Sequence, residues 1–203
     1  TLREMGQDPS FCIGGIVDGI DTNAGHGEGV HYVVEADESD GSFVYLAPDI
    51  AIITNLEADH LDLYGSIEEI EAVFIDFLHR LRPGGVAVVC GDDERLLRVV
   101  RSADVPFVTY GSGPDCDFRY QVTGRRGIGS TFLVTLPGGA TIDCSVTVPG
   151  EHMVSNATAV LAALVSAGLD ASGAAVALAT YSGVRRRFDL VGEAAGVTIV
   201  DDY

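Results

Sequence analysis

The sequence predicts an α/β protein: a doubly wound, mostly parallel sheet with helices on both faces and a small antiparallel β subdomain. Three observations carry that prediction. Short, continuous apolar runs alternate with amphipathic helical patterns through the first half of the 203 residues, as expected of strands buried on both faces of a parallel sheet. Their order, strand, helix, strand, helix, strand, calls for right-handed crossovers. From about residue 115 to residue 148 the pattern changes to short alternating segments joined by glycine-rich turns, the mark of an antiparallel meander.

Taken in order, residues 1–6 read as the last turn of a helix with Gly6 just past its end. Residues 11–13, 31–36 and 50–54 are apolar runs bounded by polar loops and read as strands. Ser66 then offers an N-cap oxygen and Glu69 completes a capping box. Ile67, Ile70, Phe74, Phe77, Leu78 and Leu81 follow at helical spacing until Pro83-Gly84-Gly85 stops the helix. Residues 86–90 return as a strand, 93–101 as a helix and 106–110 as a strand. The meander takes segments 118–122, 130–136 and 141–148, turning at Gly124-Arg-Arg-Gly127 and Pro137-Gly138-Gly139, as a small sheet on the edge of the main one. Alanine-rich helices over 151–167 and 171–180 are separated by Gly168, and 188–191 and 197–200 read as strands. No internal repeat or low-complexity linker interrupts the chain, which reads as one α/β domain ending at the threshold of another. Both ends are expected to be breaks within a longer protein.

Charge narrows the function. Thirty acidic residues oppose 12 basic ones, for a formal charge of −18, and every basic residue is arginine. Such a balance opposes binding to nucleic acid or to an anionic membrane surface. No apolar run approaches the roughly 20 residues that span a bilayer, and no signal peptide opens the chain. Cys12, Cys90, Cys116 and Cys144 show neither a CxxC pair nor zinc spacing, so reduced thiols in a cytoplasmic protein are expected.

More than half of the acidic residues, and no arginine, fall between Glu4 and His79. Glu35-Ala-Asp37-Glu38-Ser-Asp40 sits at the carboxyl end of strand 31–36, and Asn55-Leu-Glu57-Ala-Asp59-His60-Leu-Asp62 follows strand 50–54. Carboxyl ends of parallel strands line the ligand crevice. Two adjacent strands ending this way would gather like charges, which a divalent cation relieves. Hard oxygen donors favour Mg²⁺ or Mn²⁺, with His60 tilting the set toward Mn²⁺. The competing reading is solvated acidic loops, with His60 serving only as a helix cap.

The last third carries different chemistry. Gly150-Glu-His152-Met-Val-Ser-Asn156 opens a helix directly after a strand, and free amides at a helix start suit a phosphate or a polar ring edge. His152 and Asn156 fit capping and packing equally well. Arg185-Arg186-Arg187 is the only dense basic run; it reads as a solvated turn or as a phosphate contact.

In series, Glu35-Ala-Asp-Glu-Ser-Asp40, Thr54-Asn-Leu-Glu-Ala-Asp-His-Leu-Asp62, Gly150-Glu-His-Met153 with Asn156, Gly183-Val-Arg-Arg-Arg-Phe-Asp189 and Val200-Asp-Asp-Tyr203 resemble the Mur ligase family, over nearly the whole chain. Within that family the pattern is most similar to the branch that adds L-alanine to UDP-N-acetylmuramate. The resemblance implies a three-domain cytoplasmic enzyme of peptidoglycan precursor synthesis, in which ATP activates a carboxylate as an acyl phosphate and an amine then attacks. It implies that residues 1–194 are the central ATP-binding domain, truncated at its N-terminus, with its β subdomain at about 115–148, and that 195–203 begin the C-terminal domain. The missing N- and C-terminal domains would be its partners. Glu35 and His60 are implied as the catalytic metal-binding pair for Mg²⁺ (or Mn²⁺). Asn55 and Asn156 are implied at the adenine, His152 among the cofactor-binding residues, Arg187 at the nucleotide phosphates, Asp202 at the ribose and Tyr203 beside the substrate cleft. Met153 stands where many relatives carry Asn, leaving only packing for that contact. The family's Gly-x-x-Gly-Lys-Thr loop is absent and the chain has no lysine, so the chain alone is expected to be inactive. The residues themselves leave open another Mur-type or folylpolyglutamate-type amide ligase, a metal-dependent phosphohydrolase using the same carboxylates on water, and a non-catalytic nucleotide-binding domain.

Overall fold

Strands β1 (Ser10–Cys12), β2 (Ala24–Gly25) and β3 (Tyr32–Val34) form a sheet in the order β2-β1-β3, with β1 parallel to β3 and antiparallel to β2. This computed structural model describes residues 1–17, 19–39, 41–184 and 189–201. A second sheet takes β4 (Ile50–Ile53), β5 (Val86–Cys90), β6 (Phe107–Gly111), β7 (Phe118–Arg126), β8 (Gly129–Thr135) and β9 (Thr141–Val146) in sequence order. Strands β4 to β7 run parallel, and β7, β8 and β9 are antiparallel. The expected β subdomain therefore continues the parallel sheet through Tyr110 opposite Phe118 and Gly111 opposite Arg119. Strands β10 (Asp189–Ala194) and β11 (Val197–Asp201) pair as an antiparallel hairpin.

One sequence expectation is corrected here. Strands 31–36 and 50–54 were expected to be neighbours, but β3 pairs with β1 in the first sheet, while β4 lies in the second beside β5. An apolar run signals burial; it does not say which strand lies alongside. A smaller correction concerns β7, which passes through the expected turn at Gly124 and ends at Arg126. A register shift between Val122 and Gly124 accommodates the extra residue as a bulge, and of the expected turn 124–127 only Gly127, with φ of 62°, lies in the turn.

Helices α1 (Leu61–Tyr64), α2 (Ile67–Leu78), α3 (Glu94–Ala103), α4 (Glu151–Ser166) and α5 (Ala171–Leu178) complete the fold. The N-cap half of the capping box forms at α2, where the Ser66 hydroxyl oxygen accepts the Glu69 N–H at 3.3 Å. Asp93 caps α3 with one carboxylate oxygen, taking the N–H groups of Arg95 and Leu96 at 2.9 Å each. Its other oxygen accepts the Leu56 N–H at 2.9 Å, pinning the loop after β4 to the start of α3.

Both faces of the parallel sheet are covered. On β5, Ala87 and Val89 pack with Leu78 of α2 and with Leu96 and Val100 of α3. Between them, Val88 packs with Tyr110, Phe118, Phe132 and Leu161 of α4 on the other face. This alternation of period two is what a strand buried on both sides requires. A third cluster of Phe43, Ala51 and Phe77 ties the segment after β3 to β4 and α2, with the Phe43 and Phe77 ring centroids 5.1 Å apart. Among the described residues no helix is long and apolar enough to cross a membrane.

Candidate functional site

Packing, rather than strand pairing, brings the two acidic loops together. Phe43 anchors the chain after β3 against β4 and α2. The hydroxyl of Tyr64, buried on α1, donates to the backbone carbonyl of Glu38. As a result Asp37, Glu38 and His60 each present a ligand atom, all lying within 4.8 Å of one another. His60 Nε2 stands 3.9 Å from Glu38 Oε1 and 3.9 Å from Asp59 Oδ2.

The local chain explains these placements. His60 occupies the N-cap position of α1 in the left-handed region, with φ of 52°, and its N–H bonds Asp59 Oδ1 at 2.7 Å. That conformation is uncommon outside glycine, and His, Asn and Asp are enriched among the exceptions. Asp37 closes its own turn by accepting the Ser39 N–H at 2.7 Å.

Of the two expected metal residues, His60 thus has Asp37 and Glu38 for neighbours, and Glu35 does not belong to their group. Its N–H donates to the Cys12 carbonyl at 2.9 Å, extending the β1–β3 pairing. Its carboxylate turns back to accept the Gly14 N–H on Oε2 at 2.6 Å. Asp37, Glu38 and the Gly14 amide are therefore candidate groups to which the sequence alone assigned no role. The two carboxylates were visible in the acidic string.

Two carboxylates and an imidazole within ligand reach fit a hard or borderline divalent cation such as Mg²⁺ or Mn²⁺. The arginine ion pairs among the described residues, Arg82 with Asp49 at 3.4 Å and Arg95 with Glu71 at 2.7 Å, lie elsewhere.

Asn55 is exposed just past β4, where its Oδ1 accepts the Thr54 hydroxyl at 2.9 Å and its Nδ2 donates to Glu57 at 3.2 Å. His152 and Asn156 are exposed on the first turns of α4, and that helix packs against β4 as well as against β5 to β9. Gly150 caps α4 at φ of 101°, and a Cβ there would collide with the His152 ring. Arg187, Asp202 and Tyr203 lie outside the described residues.

Two other features are set aside by their chemistry. A groove of about 570 Å³ between β7, β8 and the start of α4 is lined by Arg119, Tyr120, Arg125 and Glu151, and it contains none of the expected site residues. All four cysteines are free, and burial raises the Cys90 thiol and pushes Cys116 and Cys144 up to about 11. Thiols so shifted stay protonated at neutral pH and are poor nucleophiles.

Comparison with known proteins places this geometry in a family. The Mur ligase middle domain matches residues 23–164. The chain is 42% identical to the UDP-N-acetylmuramate–L-alanine ligase of Mycolicibacterium gilvum, covering 100% of this chain and 44% of that protein. It is 45% identical to the enzyme of the same name from Streptomyces griseus, again covering 100% and 44%. The crystal structure of a UDP-N-acetylmuramate-alanine ligase from Thermotoga maritima superposes with a TM-score of 0.84 at 28% identity, over 100% of this chain and 45% of that one. The chain thus spans less than half the length of these relatives. The matched span takes in the acidic loop, His60, both asparagines and the start of α4, and by that match the chain belongs to the Mur ligase family and carries its middle domain.

Proposed function

We propose that this chain is the nucleotide-handling part of a cytoplasmic ATP-dependent ligase that joins L-alanine to UDP-N-acetylmuramate during peptidoglycan precursor synthesis. The observation that carries the reading is the meeting of the acidic loop with His60, in a chain whose named relatives catalyse that ligation. In this reading residues 1–194 form the central ATP-binding domain and 195–203 lead into a C-terminal domain.

The reaction proposed is attack of the muramoyl carboxylate on the γ-phosphorus of ATP with departure of ADP. The amine of L-alanine then displaces phosphate from the acyl carbon. Mg²⁺ or Mn²⁺, when bound, neutralises charge on the transferring phosphoryl group. Asp37, Glu38 and His60 are positioned to hold that cation, and Glu35 adds a carboxylate whose orientation is fixed by one backbone N–H. Asn55 and Asn156 are assigned to the adenine edge, and His152, on the same helix as Asn156, to the cofactor site. Arg187 is assigned to the phosphates, Asp202 to the ribose and Tyr203 to the substrate cleft.

An ADP-release assay on the full-length protein, with UDP-N-acetylmuramate, Mg²⁺ and a panel of amino acids, tests the proposal. Turnover should require L-alanine, and other amino acids should be accepted poorly. The 203-residue chain alone should read background, because it has neither a lysine nor a Gly-x-x-Gly-Lys-Thr loop to cradle phosphates. ADP release that ignores L-alanine would favour a phosphohydrolase instead.

A further inference from the structure

Two consecutive glycines sit where the β1–β3 sheet meets the segment after α5. Gly14 donates its N–H to Glu35 Oε2 at 2.6 Å, and a Cβ on Gly14 would lie 3.1 Å from Oε1 of the same carboxylate. Gly15 faces the other way: a Cβ there would stand 2.5 Å from Val184 Cγ1. The Val184 backbone pairs with Val17 in an isolated antiparallel bridge, and its β-branched side chain is stiff at χ1. Upstream on the same segment, Thr147 donates its hydroxyl to the Tyr181 carbonyl, and Gly183 is buried with φ of 115°. The segment is thus fastened at Tyr181 to the end of the large sheet and at Val184 to the loop that carries Gly14.

We infer that Gly14-Gly15 is a positioning element for Glu35. The Gly14 amide takes Oε2, and on the cation reading Oε1 is the oxygen left for the ion. The absent side chain of Gly15 lets Val184 close against the loop and hold that amide in place. Neither glycine touches the reacting atoms; both act through Glu35. Side chains at these positions break the arrangement in different ways. A methyl at Gly14 crowds the carboxylate directly, whereas a methyl at Gly15 drives the loop from Val184 and carries the amide with it. Hydrogen-bond donors that orient ligating carboxylates typically change metal affinity by about 10- to 100-fold when lost.

The inference rests on the cation reading of the proposed function, and its test separates the two. Binding of Mn²⁺ to the full-length protein with a non-hydrolysable ATP analogue is measured by the electron paramagnetic resonance signal of the free ion. Gly15→Ala should weaken Mn²⁺ binding by about 10-fold. Adding Val184→Ala, which removes the clashing Cγ1, should recover most of the affinity. Circular dichroism melts of each variant fix an assay temperature at which all are folded, so that a change in Mn²⁺ affinity is read on folded protein. Wild-type affinity in Gly15→Ala, or a loss that Val184→Ala does not repair, overturns the inference. Glu35→Gln is the arm for the underlying reading: unchanged Mn²⁺ affinity in that variant rejects Glu35 as a cation residue, whatever the glycines do.

Discussion

His60→Ala in the full-length protein should lower ADP-forming turnover by about 100-fold or more, the scale of losing a metal-holding side chain. The imidazole is the only group in the cluster that comes from the loop after β4; Asp37 and Glu38 both come from the loop after β3. Removing it leaves two carboxylates 4.8 Å or less apart without the nitrogen donor that completes the set, so cation affinity falls. Loss of fold is the confounding outcome, because His60 has φ of 52° and alanine tolerates that region poorly. His60→Asn separates the two effects, since Asn accepts the left-handed conformation but lacks the imidazole. Its thermal midpoint should stay near that of the unchanged protein while turnover stays low. Full turnover in His60→Ala would reject the site.

Phe132→Ala should destabilise the chain by about 3–5 kcal/mol, the cost of a large buried aromatic and its cavity. Phe132 lies on β8, in the antiparallel part, and is 1% exposed. Its strand neighbours are Val122 and Cys144, and it shares one apolar cluster with Val88 and Tyr110 of the parallel strands and Leu161 of α4. Against a total stability of about 5–15 kcal/mol for a domain, the change should lower a single unfolding transition monitored by circular dichroism. Two separated transitions, with the parallel part unaffected, would show that the antiparallel strands form an independent unit. The continuity of the sheet through Tyr110 and Phe118 argues for one transition.

The sequence was most legible where local chemistry decides the outcome. The Ser66 N-cap of α2, the β5 strand and the glycine opening α4 are each written in a few neighbouring residues, and each stands where it was expected. The antiparallel segments were readable from their alternation, although the bulge that carries β7 past Gly124 was not. What could not be read was lateral order. The partner of β3 depends on hydrogen bonds between residues 22 apart, such as Ser10 and Tyr32, and no local pattern encodes that choice.

The site was partly legible for the same reason. Clustered carboxylates and His60 announced themselves by type and spacing. That His60 would meet Asp37 and Glu38 while Glu35 turned to Gly14 depends on Phe43, Tyr64 and the N-terminal sheet acting at a distance. Asp93 is a further instance: it was read only as a helix start, yet it also holds the Leu56 amide beside Asn55.

Anomalous scattering at the manganese edge, from crystals of the full-length protein grown with Mn²⁺ and a non-hydrolysable ATP analogue, bears most directly on all of this. A peak bonded to His60 and to at least one carboxylate of Glu35, Asp37 or Glu38 is the expected result. A metal peak on the nucleotide with none of these side chains in its coordination sphere would contradict it.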